Sequence, residues 1–452
     1  MIPTVIKTLA REVHELGGNL FLVGGSVRDI SLDITPSDWD CEVFGLQQNI
    51  LEKLLKHYSA NLVGKDFGVY KLIHGDLQID VSLPRTEKVI GEKHTDFEVS
   101  IDPDLPLEMA ALRRDFTINS MAISLMDTML IDPLEGLSDL HSKILRHCSE
   151  QFSEDPLRVL RGMQFCARFG LTAASETIEL CSQLNNEFIP PEREWEEWKK
   201  LILMGVQPSM GLDFLKKCGW LIHYPALNGM PRTDQDPVWH SEGNVWQHTT
   251  LAMDYFAKER KGEDYEDLVT GLGILLHDCG KRYTSCVGDD GRIHSYGHSD
   301  TGVAVATHFM TKLTPQKNVL EDTLALVKYH MVPMALYPKG KDSTIRRLSA
   351  KVPIGRLINV ALADHFATGY FKDKPPEWEP WLRERLKVLN VNDSKPSPIV
   401  MGRHLLEIGV KPGPMMGELL KRVFEAQLDG VFVDLTFGIQ FARNIAEKEG
   451  YM

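Results

Sequence analysis

Asn19-Leu20-Phe21-Leu22-Val23-Gly24-Gly25-Ser26-Val27-Arg28-Asp29, followed by Asp38-Trp39-Asp40-Cys41-Glu42-Val43-Phe44-Gly45, decides the reading of this chain. The first segment predicts a strand running directly into Gly24-Gly25, then a helix opened by Arg28-Asp29. Glycines at that junction let backbone N–H groups approach phosphate oxygens, and a helix N-terminus adds the positive end of its dipole. The loop lacks the Lys-Ser/Thr of a P-loop. Taken alone, it reads equally as a strand-to-helix turn with an Arg28–Asp29 surface pair. The second segment predicts a strand whose alternation puts Asp38 and Asp40 on one face. Two carboxylates so placed suit divalent metals that activate a hydroxyl and stabilise departing pyrophosphate. A third, Asp80, lies in LQIDVSL on the polar face with Gln78 and Ser82, where an adjacent strand would bring it beside the pair.

The 452 residues allow about three domains. With 43% hydrophobic and 25% charged residues, the composition is that of a globular chain. Glu12, His14 and Glu15 interrupt the N-terminal segment before an apolar span forms, predicting no membrane insertion and a cytoplasmic protein. Seven scattered cysteines, an odd number without a C-x-x-C pair, predict no disulfide framework. A net charge of −13 excludes a global basic field for coating nucleic acid, so RNA contacts must be local.

Strand patterns (LFLVGG, DWDCEVFG, VYKLI, LQIDVSL) occupy residues 20 to 150, and helical patterns take over from about 152. This predicts an α/β head with a mixed or antiparallel sheet, followed by all-α neck, body and tail. Turn-rich segments at 228–238, 373–381 and 392–400 are candidate linkers. The expected divisions are a head at 1–150, a neck at 151–230, a His-rich domain at 231–375 and a tail at 376–452.

GGSVRD followed by Asp38-Trp39-Asp40 resembles the signature of the polymerase-β-like nucleotidyltransferases. Further motifs narrow the resemblance: RRDFTINSMA from Arg113, IDPLEGLSDL from Ile131, and Glu154-Asp155-Pro156-Leu157-Arg158-Val159-Leu160-Arg161. In order, they resemble class II CCA-adding enzymes and bacterial poly(A) polymerases. The resemblance implies catalytic roles for Asp38, Asp40 and Asp80, with Mg2+ on Asp38 and Asp40. It further implies nucleotide contacts at Gly24, Gly25, Arg28, Arg114, Asp115, Asn119, Asp155, Arg158 and Arg161.

Asp155 and Arg158 lie three residues apart, which on a helix places both on one face. A carboxylate accepts from an exocyclic amino group and a guanidinium donates to the neighbouring ring acceptor, an edge that cytosine and adenine share. The bland alternative is a surface salt bridge; the resemblance assigns base reading to the pair. Glu192-Arg193 stands where the family has a Glu-Arg motif, but among additional Glu and Trp residues, and its role stays open.

Between residues 240 and 365, GNVWQHT, LLHDCGK, GHSDTG, LVKYH and ALADH resemble, in order, the HD phosphohydrolases. The resemblance implies a divalent metal on His248, His277, Asp278 and Asp364, with His298 and His330 completing a second position and Lys281 close to a phosphate oxygen. His240, His294 and His365 read as ordinary histidines. The tail resembles the C-terminal segment after class II nucleotidyltransferases, as a packed helix pair suited to gripping an RNA elbow.

Together these imply addition of C and A to a tRNA or RNA 3′ end from CTP and ATP, with an HD domain hydrolysing phosphate or 2′,3′-cyclic phosphate ends. The alternatives are a poly(A) polymerase, from which the lack of a long basic extension after Tyr451-Met452 separates it, or an HD nucleotidase with a binding-only head. No membrane partner is expected, and oligomeric state is not readable.

Overall fold

The computed structural model describes residues 2–58, 68–89, 97–369, 371, 373–391 and 396–451. Two compact units divide the chain at His223/Tyr224.

In the first unit, eight strands matter: β1 Asn19–Val23, β2 Asp38–Phe44, β3 Val69–His74, β4 Leu77–Ser82, β5 Arg85–Val89, β6 Phe97–Ile101, β7 Ala122–Ser124 and β8 Leu130–Ile131. Six form one sheet in the order β3-β4-β2-β1-β7-β8, and β5 pairs with β6 separately. All neighbours in the large sheet are antiparallel except β2 and β4, which makes the sheet mixed. Alternation places the side chains: Trp39, Cys41 and Val43 of β2 and Ile79 and Val81 of β4 are buried, while Asp38, Asp40 and Asp80 sit on the opposite face.

The helix after Gly24 begins at Gly25 and runs to Ser31, so Arg28 and Asp29 lie inside it rather than opening it. Gly24 itself turns the chain at φ +67°, a conformation that glycine adopts without steric cost. The helix Leu157–Phe169 packs on Pro191–Met204 and Pro208–Lys217. The approach to the latter is close because a Cβ at Gly211 would stand 2.3 Å from the Met163 carbonyl oxygen.

The second unit is helical apart from the short ribbon Cys286–Val287/Ile293–His294. Helix Asp264–Leu276 is buried continuously from Asp267 to Leu276, the pattern of a helix covered on all sides. Around it pack Val245–Glu259, Lys317–Tyr329 and Ile354–Ala367. A separate core of Val400, Leu405, Leu419, Val423, Phe432, Ala442 and Ala446 holds the last helices. The turn-rich segment from 228 is no loose tether: Met230 and Thr233 are buried, and Gln235 and Asp236 are hydrogen-bonded to residues of the helical body. Most of 373–381 is taken up by the approach to helix Trp378–Leu389 and its first turn, and part of 392–400 lies outside the described residues. Among the described residues, no helix is long and apolar enough to cross a membrane.

Candidate functional sites

The parallel register sets Asp40 directly beside Asp80, with Asp38 opposite Gln78. Asp40 has no hydrogen-bond partner for its carboxylate among the described residues, and burial pushes its carboxyl up to about 6. Arg114 works against this rise, while Asp80 and Asp38 add to it. The three acids share one sheet face, near enough for Asp38 and Asp80 to oppose ionisation of Asp40, but among the described residues the groups whose ligand atoms gather within 4.8 Å of one another all lie in the second unit. Lys71, exposed, stands 3.6 Å from Asp80 Oδ2. Ser26 ties the glycine turn to β2: the Asp40 N–H donates to Ser26 Oγ at 2.7 Å, and that hydroxyl donates to the Asp38 carbonyl at 3.1 Å. A Cβ at Gly24 would lie 3.0 Å from Arg114 Nη1 and 3.4 Å from Asp40 Oδ2, so the turn brings the backbone close to both side chains.

This face floors a cleft of about 580 Å³ whose lining includes every predicted head residue except Asp80, which lines a second cleft of about 310 Å³. Asp40, Arg113, Arg114 and Arg158 line both. One hydrogen-bonded chain joins the wall. Arg28 donates twice to Asp29 Oδ1, at 2.7 and 2.9 Å, and through Nη1 to Asn119 Oδ1 at 2.7 Å. Asn119 Nδ2 donates to Asp115 Oδ1, and Arg161 Nε to Asp115 Oδ2 at 2.7 Å. Arg28 is thus buried, not half of a surface pair. Although buried, Asp115 is held below its ordinary value by Arg161 and Asn119. Arg161 spends only Nε on Asp115 among the described residues, leaving its terminal amino groups for a ligand.

Asp155 departs from expectation. It does not share a helix face with Arg158: it is extended at φ −129°, ψ 97°, ahead of Pro156, and the helix begins at Leu157. Proline fits the entry to a helix, and the residue before it is pushed towards extended conformations. Its Oδ1 accepts from the Leu157 N–H at 3.1 Å, while Oδ2 accepts from Arg193 Nη2 at 2.8 Å. Arg158 instead donates to the carbonyls of Gln151 and Arg113, each at 2.8 Å. Arg193 is the residue that sequence reasoning left unassigned; its signal was the Glu192-Arg193 pair, whose partner lies 38 positions earlier. Arg168 and Lys200, which the sequence reading did not name for this cleft, also line it.

In the second unit, the six predicted ligands converge. His277 and His330 follow the ends of two helices, and each donates Nδ1–H to the carbonyl three residues back, Ile274 and Val327, at 2.7 and 2.8 Å. His298 does the same to Ser295 at 2.8 Å. These bonds satisfy carbonyls and leave the Nε2 lone pairs facing inward. His248 Nε2 lies 3.3 Å from His277 Nε2, and His298 Nε2 lies 3.1 Å from His330 Nε2. Asp278 stands between the pairs, with Oδ2 3.3 Å from His277 Nε2 and Oδ1 3.4 Å from His298 Nε2. Asp364 Oδ1 lies 3.0 Å from His248 Nε2. Opposed nitrogen lone pairs at such distances repel unless a proton or cation lies between them, and imidazole with carboxylate suits a borderline divalent ion. The residues present therefore fit a metal in two subsites sharing Asp278: His248, His277, Asp278 and Asp364 on one side, and Asp278, His298 and His330 on the other.

Without an ion the charges settle within the cluster. Burial works against protonation of His248, but Asp364 and Glu242 hold it up at about 9, whereas burial and the neighbouring His277 push His330 down to about 4. Lys281, named for a phosphate oxygen, spends two protons on Asp278 Oδ2 at 2.6 Å and Gln235 Oε1 at 2.7 Å. A cleft of about 410 Å³ opens onto Asp278, His298 and Asp364, and the three histidines taken as ordinary, His240, His294 and His365, all line it. His240 shares Glu242 with His248, each at 2.8 Å.

Residues 20–146 match the poly A polymerase head domain family. The multifunctional CCA protein of Shewanella frigidimarina (strain NCIMB 400) is 36% identical over 294 residues, which are 63% of this chain and 67% of that protein. The solved Bacillus stearothermophilus CCA-adding enzyme in complex with CTP superposes with a TM-score of 0.68 at 19% identity, covering 99% of this chain and 100% of that one. The Thermotoga maritima CCA-adding enzyme complexed with tRNA superposes with a TM-score of 0.60 at 20% identity, covering 99% and 97%. At these identities, the structural matches speak for the fold.

Proposed function

The chain belongs to the family of CCA-adding nucleotidyltransferases, and from that premise we propose that its head reads CTP and ATP through Asp155, Arg158 and Arg193 and joins them to a tRNA 3′ end. The observation that carries this reading is the register: Asp40 beside Asp80, two residues from Asp38, under a glycine turn and a cleft lined by arginines.

Asp38, Asp40 and Asp80 would hold Mg2+. When bound, that ion would lower the pKa of the attacking hydroxyl and offset charge on the leaving pyrophosphate. The backbone at Gly24-Gly25 and the terminal amino groups of Arg161 would take triphosphate oxygens. Arg28, bonded through three of its donors to Asp29 and Asn119, holds the wall. Asp155 would accept from the exocyclic amino group of C or A, with Arg193 keeping the carboxylate ionised and aimed and Arg158 donating to the adjacent acceptor. The two clefts meet at Asp40 and would give the triphosphate and the RNA end separate approaches. Transcripts ending before C, after C and after CC, incubated with labelled CTP or ATP, test the proposal. Addition of U and G as readily as C and A would overturn it.

For the second unit, the convergence of four Nε2 atoms on Asp278 supports metal-assisted hydrolysis of phosphate or 2′,3′-cyclic phosphate ends. A bound divalent ion there would polarise the phosphoryl group and supply hydroxide. Such an activity would prepare the free 3′-hydroxyl that the head requires.

A further inference from the structure

The cleft over the histidine cluster is larger than a phosphate needs. Its 410 Å³ falls among volumes that enclose whole small molecules, about 300–1,000 Å³. Two aromatic stacks are built into its lining. Trp239 lies parallel to Phe371, with centroids 6.2 Å apart and planes at 15°, and Phe371 lies on His365 at 4.8 Å and 23°. His294 lies on Tyr296 at 5.2 Å and 7°. Tyr296 is 78% exposed and Trp239 46% exposed. Both stacks are anchored from behind, since His294 Nε2 is 3.0 Å from both carboxylate oxygens of Asp290 and His365 Nε2 donates to the Lys374 carbonyl at 2.7 Å. Arg292, bound to Asp236, stands 5.8 Å over the Trp239 ring.

Exposed, braced rings in a cleft floored by metal-ligating groups suit a ligand that carries a flat π-system at one end and an anion at the other. We propose that Tyr296 and Trp239 form a nucleobase subsite, which stacks the terminal base of the RNA while its phosphate lies at the Asp278 cluster. This rests on the hydrolytic reading of the second unit and extends it to substrate choice: the hydrolase selects nucleotide ends over base-free phosphates. Stacking accepts any base, so A, C, G and U ends are taken with similar KM.

The test compares 2′,3′-cyclic AMP with the 2′,3′-cyclic phosphate of methyl riboside, which has no base, using full-length wild type, Tyr296→Ala, Tyr296→Phe and Trp239→Ala. Loss of one stacking ring is expected to raise KM for cyclic AMP on the order of ten-fold, with Tyr296→Phe restoring it and the base-free substrate moving by less than about two-fold. Equal changes on both substrates, or none on cyclic AMP, would overturn the subsite. Calorimetric titration with 3′-CMP, CTP saturating the head, reads the same subsite without turnover. If wild type hydrolyses neither substrate, the hydrolytic reading falls, and weaker 3′-CMP binding by Tyr296→Ala still upholds the subsite while unchanged binding refutes it.

Discussion

Asp40→Asn should stabilise the metal-free head while abolishing nucleotide addition. Burial and two neighbouring acids raise the Asp40 carboxyl from 3.8 to about 6. A factor of ten in proton affinity is worth about 1.4 kcal/mol, so keeping this group ionised in the fold costs about 3 kcal/mol. A carboxyl raised above its unfolded value destabilises the fold wherever it is ionised. The loss is therefore complete above about pH 6, shrinks as pH falls, and is gone below 3.8. Asparagine keeps the shape, sacrifices no hydrogen bond that Asp40 makes among the described residues, and removes the charge; we expect a gain of about 2 kcal/mol at pH 7 in EDTA. The gain should fall to roughly half at pH 5 and vanish near pH 4. Because the chain has two compact units, one global midpoint is a poor readout. Hydrogen exchange at the amides of β1 and β2 reports the head alone. Addition of Mg2+ should stabilise wild type and leave the variant unmoved. Destabilisation at pH 7, or a gain that persists at pH 4, would refute the reasoning.

Arg193→Ala should relax base choice by about ten-fold, because it removes the group that aims the Asp155 carboxylate; competition of UTP and GTP against CTP on a transcript ending before CCA measures this, and an equal loss for all four nucleotides would assign Arg193 to the triphosphate instead. Arg161→Ala leaves Asp115 buried without its counter-charge and should cost about 3 kcal/mol or more, read by exchange at the amides of helix Leu157–Phe169; an effect below about 1 kcal/mol would mean that Asn119 and the Phe116 N–H suffice. His277→Ala should leave extension of hydroxyl-ended RNA intact but block extension of RNA carrying a 2′,3′-cyclic phosphate, compared side by side on one gel; equal extension of both ends by the variant would remove end repair from the second unit.

What the sequence determined by itself was local. Period-two alternation placed Asp38 and Asp40 on one strand face, and the glycine pair announced a turn that only small residues permit. The HD-like motifs pointed to His277 and His330, and in the fold each imidazole caps a backbone carbonyl at a helix end. Alternation tells which face a residue takes but never which strand lies beside it, so the Asp40–Asp80 register came only with the parallel pairing of β2 and β4. Helical spacing misread Asp155, because the helix begins only at Leu157, after Pro156, and the freed carboxylate found Arg193 in another helix. Trp239, Tyr296 and Phe371 carried no motif at all. Their meaning depends on ring planes and on segments as far apart as Trp239 and Phe371, which only the folded chain brings together around one cleft.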